Sequence, residues 1–505
     1  MVPEVSQALP RISLGWKWIP VVLFLLFVLD VVRSRRPVKF PPGPIALSFL
    51  GNLLQVSSMA PHRSLKQLGK KYGAIFSVRL GTKFSVVLDG YAIVKEALVL
   101  NGETFSGRPI SPLFLRLKGP HGIIFSNGSE WREQRHFALS HLKNLLPQVK
   151  PWITAEAQYL RTAFEQHHGK SISERDQPFD PHLDINQSVY STMYQVLFGH
   201  RLDYKNPTFR AFMHHFMNIT DIVPSSSVKL FNLFPMVMQF MPGAHQRLFE
   251  EWDQLESILL EQVKQHQQSR NPETPRDFTD CYLNKMENTS GDGTSSFNQK
   301  SLIASATDLM VGGTETVASV LRWLLLYMMT YPSIQDKVHH EIDIMIGPDK
   351  QPSWTDRVKL PYTNAVIHEV LRLGNVIPLN VPRQTTKDVE LKGYRIPKGT
   401  TVIPSLTGVL MDGTQWESPT LFNPNRYLAE NGQFRPVDAH LPFSTGHRMC
   451  IGVNLAQMEL FLFFTVLMQC FHIETPEGDC PLDLSGVYGS TLAPSPYRIC
   501  ARLRK

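Results

Sequence analysis

The fold is decided by the stretch Phe443-Ser444-Thr445-Gly446-His447-Arg448-Met449-Cys450-Ile451-Gly452, which places a cysteine directly before a strongly apolar segment. That segment runs from Gly452 to about Phe471, and its composition predicts a long buried helix. The positive end of such a helix stabilises a thiolate, and backbone N–H groups there can donate hydrogen bonds to the Cys450 sulfur. The alternative is a buried structural cysteine, which is the commoner fate of a lone cysteine.

The residues around Cys450 are those expected beside a flat, anionic cofactor. Gly446 permits a tight turn before the cysteine, and Gly452 removes a side chain where a flat group could lie against the helix. Arg448 can pair with an anionic group such as a carboxylate, and Phe443 would cover the sulfur and exclude water. A cysteine thiolate on haem iron pushes electron density into the metal and favours O–O cleavage.

The same stretch matches the haem-binding signature FxxGxRxCxG of the cytochrome P450 family at every fixed position. From the Pro-rich segment near residue 40 to its C-terminus, the chain resembles microsomal cytochromes P450 of family 2. Residues 241–246, 361–370 and 377–383 look most like the J-type subfamily. The resemblance implies a haem-thiolate monooxygenase in which Cys450 is the axial ligand of haem b iron and O2 is a co-substrate. It also implies electrons from NADPH through a separate flavoprotein reductase, NADPH–cytochrome P450 reductase, with cytochrome b5 as a further candidate partner.

A second motif, Gly312-Gly313-Thr314-Glu315-Thr316, lies within a helix predicted from about Ser301 to Tyr331. Two glycines inside a helix cost roughly 1 kcal/mol each relative to alanine, so they require an explanation. Close packing against another helix is one explanation. The resemblance implies another, in which Gly312 and Gly313 belong to an oxygen-binding groove beside the haem. Thr316 would then hydrogen-bond the oxygen that is being activated, and Glu315 would relay protons from solvent.

Further residues resemble the family's contacts to the haem propionates. Trp131 and Arg135 lie four residues apart on one face of a predicted helix, and Arg383 matches another propionate position. Cations such as Arg132 and Lys143 are expected to form a docking face for an acidic electron donor. An ordinary solvated helix would carry the same residues.

Glu369-Val370-Leu371-Arg372 places a carboxylate and a guanidinium on one helix face. Alone, the pattern is compatible with a surface ion pair of little energetic weight. In the family this pair joins a downstream arginine, and Arg426 within Phe422-Asn423-Pro424-Asn425-Arg426 matches that place. We expect the trio to hold the fold around the cysteine loop rather than to take part in catalysis.

The resemblance also implies a substrate pocket with mostly apolar walls, which suits a lipophilic substrate. The J-type subfamily implies epoxidation and hydroxylation of polyunsaturated fatty acids such as arachidonate, whose carboxylate Arg116 could anchor. Plain core packing is the alternative for each wall position. The candidate substrate residues are Phe114, Arg116, Ala306, Ile377, Leu379 and Thr491, with Leu115, Ile123 and Leu309 beside them.

The expected fold class is mainly α with a small β part, as in the cytochrome P450 fold. Long helices are predicted over residues 130–345, and a β-hairpin is predicted at Phe76–Leu80 and Phe84–Leu88. Residues 375–412 read as short strands and turns, and residues 413–449 as irregular. The C-terminal portion is turn-rich and β.

An apolar run from Ile19 to Leu29 extends to Val32 and is followed by a basic cluster and Pro37. Counted from Ile12, it reaches the roughly 20 residues that span a bilayer. We expect a retained anchor rather than a cleaved signal peptide, because no small-residue cleavage site follows. The positive-inside rule puts the basic side in the cytosol. The expected organisation is an anchor over residues 1–36, a Pro-rich hinge over 37–50, and a haem-thiolate domain over 51–505 on the cytoplasmic face of the endoplasmic reticulum membrane.

Composition and charge exclude several classes of protein and of binding partner. With 43% hydrophobic and 19% charged residues among 505, the chain can build a large core, so wholesale disorder is excluded. The formal charge of +7 suits an anionic membrane surface or an acidic partner. The chain has no dense basic stripe interleaved with aromatics, so nucleic-acid binding is not expected. Five cysteines without a CxxC pair argue against a disulfide scaffold or a structural zinc site.

Other functions stay open at the level of sequence. They are a broad-specificity xenobiotic or steroid hydroxylase, a haem-thiolate isomerase that rearranges a peroxide, and a non-enzymatic haem or lipid binder. Glu315 and Thr316 argue against the isomerase, since peroxide rearrangement needs no proton relay. NADPH consumption that depends on a reductase and a substrate would separate a monooxygenase from the last two classes.

Overall fold

A long apolar helix, α12 (Gln299–Thr330), runs through the middle of the protein in the computed structural model, which describes residues 18–504 except 34, 82, 168–176, 292, 294 and 480. Side chains on almost every side of α12 are buried, as expected for a helix that is apolar all round. It packs against α6 (His182–Phe198), α14 (Pro361–Gly374) and α16 (Val453–Cys470). The predicted helix that follows Cys450 is α16.

Helices form most of the described chain, which confirms the expected fold class. The other α-helices are α1 (Ile19–Arg33), α2 (Pro61–Tyr72), α3 (Tyr91–Lys95), α4 (Pro112–Lys118), α5 (Gly128–Gln166), α7 (Pro207–Ile222), α8 (Ser226–Leu233), α9 (Pro235–Met238), α10 (Ala244–Ser269), α11 (Phe278–Asn288), α13 (Pro332–Met345) and α15 (Leu406–Leu410). A π-helical turn spans Glu96–Leu100, and 3-10 turns span Trp354–Lys359, Pro424–Tyr427 and Gly446–Arg448.

The strands form one small sheet and three two-stranded ladders. They are β1 (Ile75–Leu80), β2 (Lys83–Asp89), β3 (Arg383–Gln384), β4 (Val389–Leu391), β5 (Tyr394–Ile396), β6 (Thr401–Ser405), β7 (Phe471–Glu474), β8 (Val487–Tyr488), β9 (Leu492–Ala493) and β10 (Cys500–Leu503). The sheet order is β1-β2-β6-β3, in which β2 and β6 run parallel and the other pairs antiparallel. The predicted hairpin is β1–β2, whereas α15 is a helix within a segment predicted as strands and turns.

Two helices of the described chain are long and apolar enough to cross a membrane by length and composition, α12 and α16. However, 72% and 67% of their apolar windows are buried inside the protein, so both are core helices. The predicted anchor lies elsewhere. Its described part is α1, and the part between Ile12 and Lys17 lies outside the described residues.

A buried ion pair connects α1 to the four-stranded sheet. Asp30 of α1 pairs with Arg79 of β1, and its Oδ2 also accepts a hydrogen bond from the Phe49 backbone N–H at 3.0 Å. Ser77 of β1 donates from its hydroxyl to the Pro41 carbonyl at 2.8 Å. The Pro-rich segment is therefore packed along β1.

Candidate active site

The cysteine loop closes on itself through a sharp turn. Gly446 has φ +75°, and an added Cβ would collide with the backbone carbonyl of Leu98, so only glycine fits there. The Cys450 N–H donates to the Phe443 carbonyl at 3.0 Å, which closes the loop just before α16. The sequence-based expectation of a tight turn at Gly446 is confirmed.

The Cys450 side chain is solvent-accessible, although protein surrounds it on most sides, which means that the sulfur faces internal space. Burial raises the pKa of its thiol, while a hydrogen bond from the Gly452 backbone N–H and the charge of Arg135 lower it. Open space also lies where a Cβ of Gly452 would stand. A metal cation at the sulfur would remove the proton outright.

Four arginines gather beside this loop: Arg108, Arg135, Arg383 and Arg448. Burial, together with repulsion from Arg108 and Arg135, lowers the pKa of Arg448 to about 8. Burial and repulsion from the other three guanidinium groups push the pKa of Arg383 well below its ordinary value. Among the described residues, none of the four forms an ion pair with a carboxylate. Such a cluster is complementary to a multiply charged anion.

Two buried donors in this cluster have no hydrogen-bond partner among the described residues, Nε1 of Trp131 and Nε of Arg383. A buried donor left unpaired costs about 1–3 kcal/mol, so both atoms favour an added acceptor. The Arg448 guanidinium lies 3.7 Å over the Trp131 ring. Its three nitrogens donate to backbone carbonyls, those of Ser106, Ile123 and Ser126. Arg448 therefore has no carboxylate partner among the described residues.

The structure brings the four predicted cofactor-binding side chains Trp131, Arg135, Arg383 and Arg448 together with the cysteine loop. Arg135 donates to the Met449 carbonyl at 2.7 Å, and Arg383 donates to the Ser444 hydroxyl at 3.1 Å. Sequence reasoning missed Arg108, whose pKa is lowered to about 9 mainly by burial. No motif named in the sequence analysis includes Arg108.

The two glycines of α12 have different surroundings. A Cβ on Gly312 would meet nothing within 4 Å, whereas one on Gly313 would lie 2.5 Å from Met193 Sδ of α6. Packing between α12 and α6 is therefore sufficient to explain Gly313, and its role beside the cofactor stays a prediction. Thr316 donates from Oγ1 to the Gly312 carbonyl at 2.7 Å. The helix continues through the motif without a break.

Glu315 lies beside Thr316 and is held from α6. The Tyr190 hydroxyl donates to Glu315 Oε1 at 2.8 Å. Burial raises the pKa of Glu315, and the hydrogen bond from Tyr190 acts in the opposite direction. Tyr190 was not predicted, because no local pattern links residue 190 to residue 315.

A family model described as "Cytochrome P450" matches residues 41–501. The chain belongs to the cytochrome P450 family. It is 42% identical to human cytochrome P450 2J2 and 44% identical to rabbit (Oryctolagus cuniculus) cytochrome P450 2J1, each over 95% of this chain and 94% of the relative. It is 39% identical to mouse cytochrome P450 2F2 over 92% of this chain and 94% of that relative.

This cytochrome P450 is therefore a monooxygenase of the oxidoreductase class, and membership implies a haem-thiolate iron, O2, a redox partner and lipophilic substrates. The described residues fit haem. Cys450 presents its sulfur to internal space, Gly312 leaves open space on α12, and Trp131 and Arg383 offer unpaired donors that suit the propionates.

The predicted trio forms in the core of this cytochrome P450. Glu369 and Arg372 are both fully buried and share two hydrogen bonds, of 2.7 and 2.8 Å. Arg426 Nε donates to Glu369 Oε1 at 3.2 Å. Arg372 also donates to the carbonyls of Leu410 and Pro419, at 2.9 and 2.6 Å. The trio thus ties α14 to the irregular segment before the cysteine loop, which confirms its structural role.

Residues 122–126, which include the predicted pocket residue Ile123, are held from two sides. Asp308 of α12 accepts the N–H groups of Ile123 and Ile124 at 2.7 and 2.8 Å and pairs with the buried Lys118. On the other side, Arg108 and Arg448 donate to carbonyls of the same segment. Neither the pair nor this double clamp had a sequence signal.

The predicted substrate residues occupy varied surroundings. Phe114 stacks on Phe125 with ring centroids 4.0 Å apart, and Ala306 is buried on α12. Thr491 shares a buried hydroxyl contact of 3.0 Å with Ser319 of α12, and Leu379 packs against the core beside β1 and β2. Ile377 is half-buried in the segment before β3.

Arg116, the predicted carboxylate anchor, is exposed on α4. Its guanidinium lies 5.1 Å over the Phe249 ring of α10. The guanidinium therefore lies at the surface between α4 and α10 rather than in the interior beside α12.

Proposed function

We propose that this cytochrome P450 epoxidises and hydroxylates polyunsaturated fatty acids, with arachidonate as the first substrate to test. The observation that carries the proposal is the similarity to two 2J cytochromes P450, 42% and 44% identical over 95% of the chain. Two observations support the proposal: the predicted wall residues Ile123, Ala306 and Leu309 belong to the apolar core, and Arg116 is an exposed cation beside Phe249. This arrangement suits an amphipathic acid whose carboxylate stays near water.

The residues of the chain divide the work between holding the cofactor and handling protons. Cys450 would ligate the iron, while the arginine cluster (Arg108, Arg135, Arg383, Arg448) and Trp131 would hold the propionates. When bound, haem b supplies the reductive activation of O2 and the transfer of one oxygen atom to carbon. The hydrogen bond that the Thr316 hydroxyl donates to the Gly312 carbonyl sets the orientation of that hydroxyl. Glu315 keeps its proton to a higher pH than an exposed glutamate, because burial raises its pKa.

We assign the electrons to NADPH, delivered by a separate flavoprotein reductase, with cytochrome b5 as a second donor. A cleft of about 330 Å³ lies between α5 and α16 directly behind the cysteine loop, and Ile451, His136 and Lys143 are among its lining residues. An acidic partner bound at this cleft would lie near Cys450. Arg132, predicted for the same face, is paired with Glu103, which lowers its value as a docking charge.

We further propose that the protein is held at the cytoplasmic face of the endoplasmic reticulum membrane, with residues 1–36 as anchor, 37–50 as hinge and 51–505 as catalytic domain. Three contacts join segments of the chain that this proposal brings to the membrane. Asp30 pairs with Arg79, Gly51 bridges to Leu80, and a Cβ at Gly81 would lie 2.9 Å from Leu233 of α8. Apolar side chains are exposed in residues 45–59 and 236–241: Ile45, Leu47, Leu50, Leu54, Met59, Met236, Val237, Phe240 and Met241. Exposed apolar side chains in such numbers favour contact with lipid.

The first experiment is the carbon monoxide difference spectrum of the reduced, haem-loaded protein, followed by turnover of arachidonate with reductase and NADPH. A red-shifted Soret band that is lost in Cys450→Ser, together with epoxide and hydroxy products, is the expected result. The Arg116→Ala variant should raise KM for arachidonate but not for its methyl ester, which lacks the carboxylate. Turnover of steroids or xenobiotics without fatty-acid products would favour the broad-specificity hydroxylase.

A further inference from the structure

Three potential metal ligands meet on the side of the protein where α13 packs beside β7. Asp336 and His339 are three residues apart, so they share one face of α13. His472 is the second residue of β7, and its ring centroid lies 5.5 Å from that of His339. One ligand atom from each of the three side chains lies within 4.8 Å of the other two.

His339 is unusual among these ligands because it is buried and incompletely bonded. Its side chain is 7% exposed, and its Nε2 has no hydrogen-bond partner among the described residues. An imidazole nitrogen that is buried without a hydrogen-bond partner is available as a metal ligand.

The two elements that carry the ligands are fixed relative to each other by a buried amide. Gln335 of α13 donates to the Ile473 carbonyl at 3.0 Å and accepts from the Ile473 N–H at 2.8 Å. Side chains alternate along a strand, so Phe471 and Ile473 are buried, and His472 lies on the half-exposed face with its ring beside that of His339. The relative position of the two elements that carry the ligands is thus set before any ion binds.

We propose that Asp336, His339 and His472 bind a divalent transition-metal ion, Zn²⁺ in the first instance, which clips α13 to β7. Two imidazoles and one carboxylate are ligands that zinc uses commonly, whereas calcium and magnesium prefer oxygen alone. Asp336 is exposed and His472 half-exposed, so a water molecule can complete a tetrahedral set. This site is distinct from the cysteine loop and takes no part in the oxygen chemistry.

The test is zinc titration of the full-length, haem-loaded, tag-free protein by calorimetry after chelator treatment. His472→Ala and Asp336→Asn should each weaken one zinc site by at least about tenfold. The matched control is His340→Ala, which removes the exposed histidine next to His339 and should leave that site unchanged. Zinc should also raise the thermal unfolding midpoint of the wild type and His340→Ala, but not of His472→Ala.

A second readout does not depend on folding of the variants. Cu²⁺ bound at the site should show nitrogen hyperfine splitting from two imidazoles in its electron paramagnetic resonance spectrum, and from one in His472→Ala. Identical zinc affinity and stoichiometry in the wild type, His472→Ala and Asp336→Asn would overturn the proposal. Equal loss in His340→Ala would overturn it as well, since binding would then be a general property of surface histidines.

Discussion

Replacing Asp308 by asparagine should destabilise the protein more than almost any other isosteric change. Asp308 and Lys118 form an ion pair in which each side chain is only 5% exposed, and Asp308 also accepts two backbone N–H groups of the 122–126 segment. The Asp308→Asn change keeps the shape but leaves the Lys118 ammonium buried without its counter-charge. The new amide NH2 group also faces donors rather than acceptors.

The size of the effect follows from the burial of the pair. Breaking a buried ion pair by removing one partner costs about 3–5 kcal/mol. A given loss of stability lowers the unfolding midpoint less in a longer chain. Scaling from smaller proteins gives a shift of about 1–2 °C per kcal/mol for this chain. We therefore expect Asp308→Asn to lower the midpoint by about 3–10 °C.

The assay is thermal unfolding of the haem-loaded protein by circular dichroism, with two comparison variants. Asp388→Asn is the matched control, because Asp388 pairs with Arg395 at the surface, with 54% and 67% of the two side chains exposed. That change should cost no more than about 1 kcal/mol. The double variant Lys118→Met/Asp308→Asn removes both charges and should recover part of the loss. A midpoint for Asp308→Asn as close to wild type as that of Asp388→Asn would refute the reasoning.

Three further outcomes follow from single contacts. Glu369→Gln leaves the fully buried Arg372 without a counter-charge, so we expect a loss of about 3–5 kcal/mol, measured as a lower unfolding midpoint or a lower yield of folded holoprotein. Gly446→Ala collides with the Leu98 carbonyl at a left-handed φ, so the reduced carbon monoxide spectrum should lose most of its red-shifted band; an unchanged spectrum would contradict the turn geometry. Tyr190→Phe removes a hydrogen bond that lowers the pKa of Glu315, so Glu315 should keep its proton to higher pH. The alkaline limb of the turnover–pH profile should therefore shift to higher pH. A profile identical to that of the wild type would exclude Glu315 from the proton path.

Local patterns in the sequence were enough to find the cysteine loop and the helices that carry the motifs. Cys450, Gly446 and α16 follow from a short stretch whose spacing and composition are visible without a structure. The Glu369, Arg372 and Arg426 trio was also predicted, although the full burial of Glu369 and Arg372 was not. In each of these cases the informative residues are close in sequence or belong to a fixed motif.

Long-range partners were missed for the opposite reason. Arg108 joins the arginine cluster, Tyr190 reaches Glu315, and Lys118 pairs with Asp308 across 190 residues. Nothing in the local pattern distinguishes these side chains from ordinary surface or core residues. Gly313 shows the same limit, since the sequence left both a cofactor role and helix packing open, and only the structure shows that Met193 is the neighbour that a side chain there would meet.

On the role proposed for the arginine cluster, haem takes part in the folding of this chain as well as in its chemistry. Its members come from positions 108, 135, 383 and 448, so only a chain that is already folded presents them together. A dianion that binds only that form draws the folding equilibrium toward it by mass action. The amount of mature protein in a cell should therefore track haem supply, and chains made during haem shortage become substrates for proteolysis rather than a stored pool.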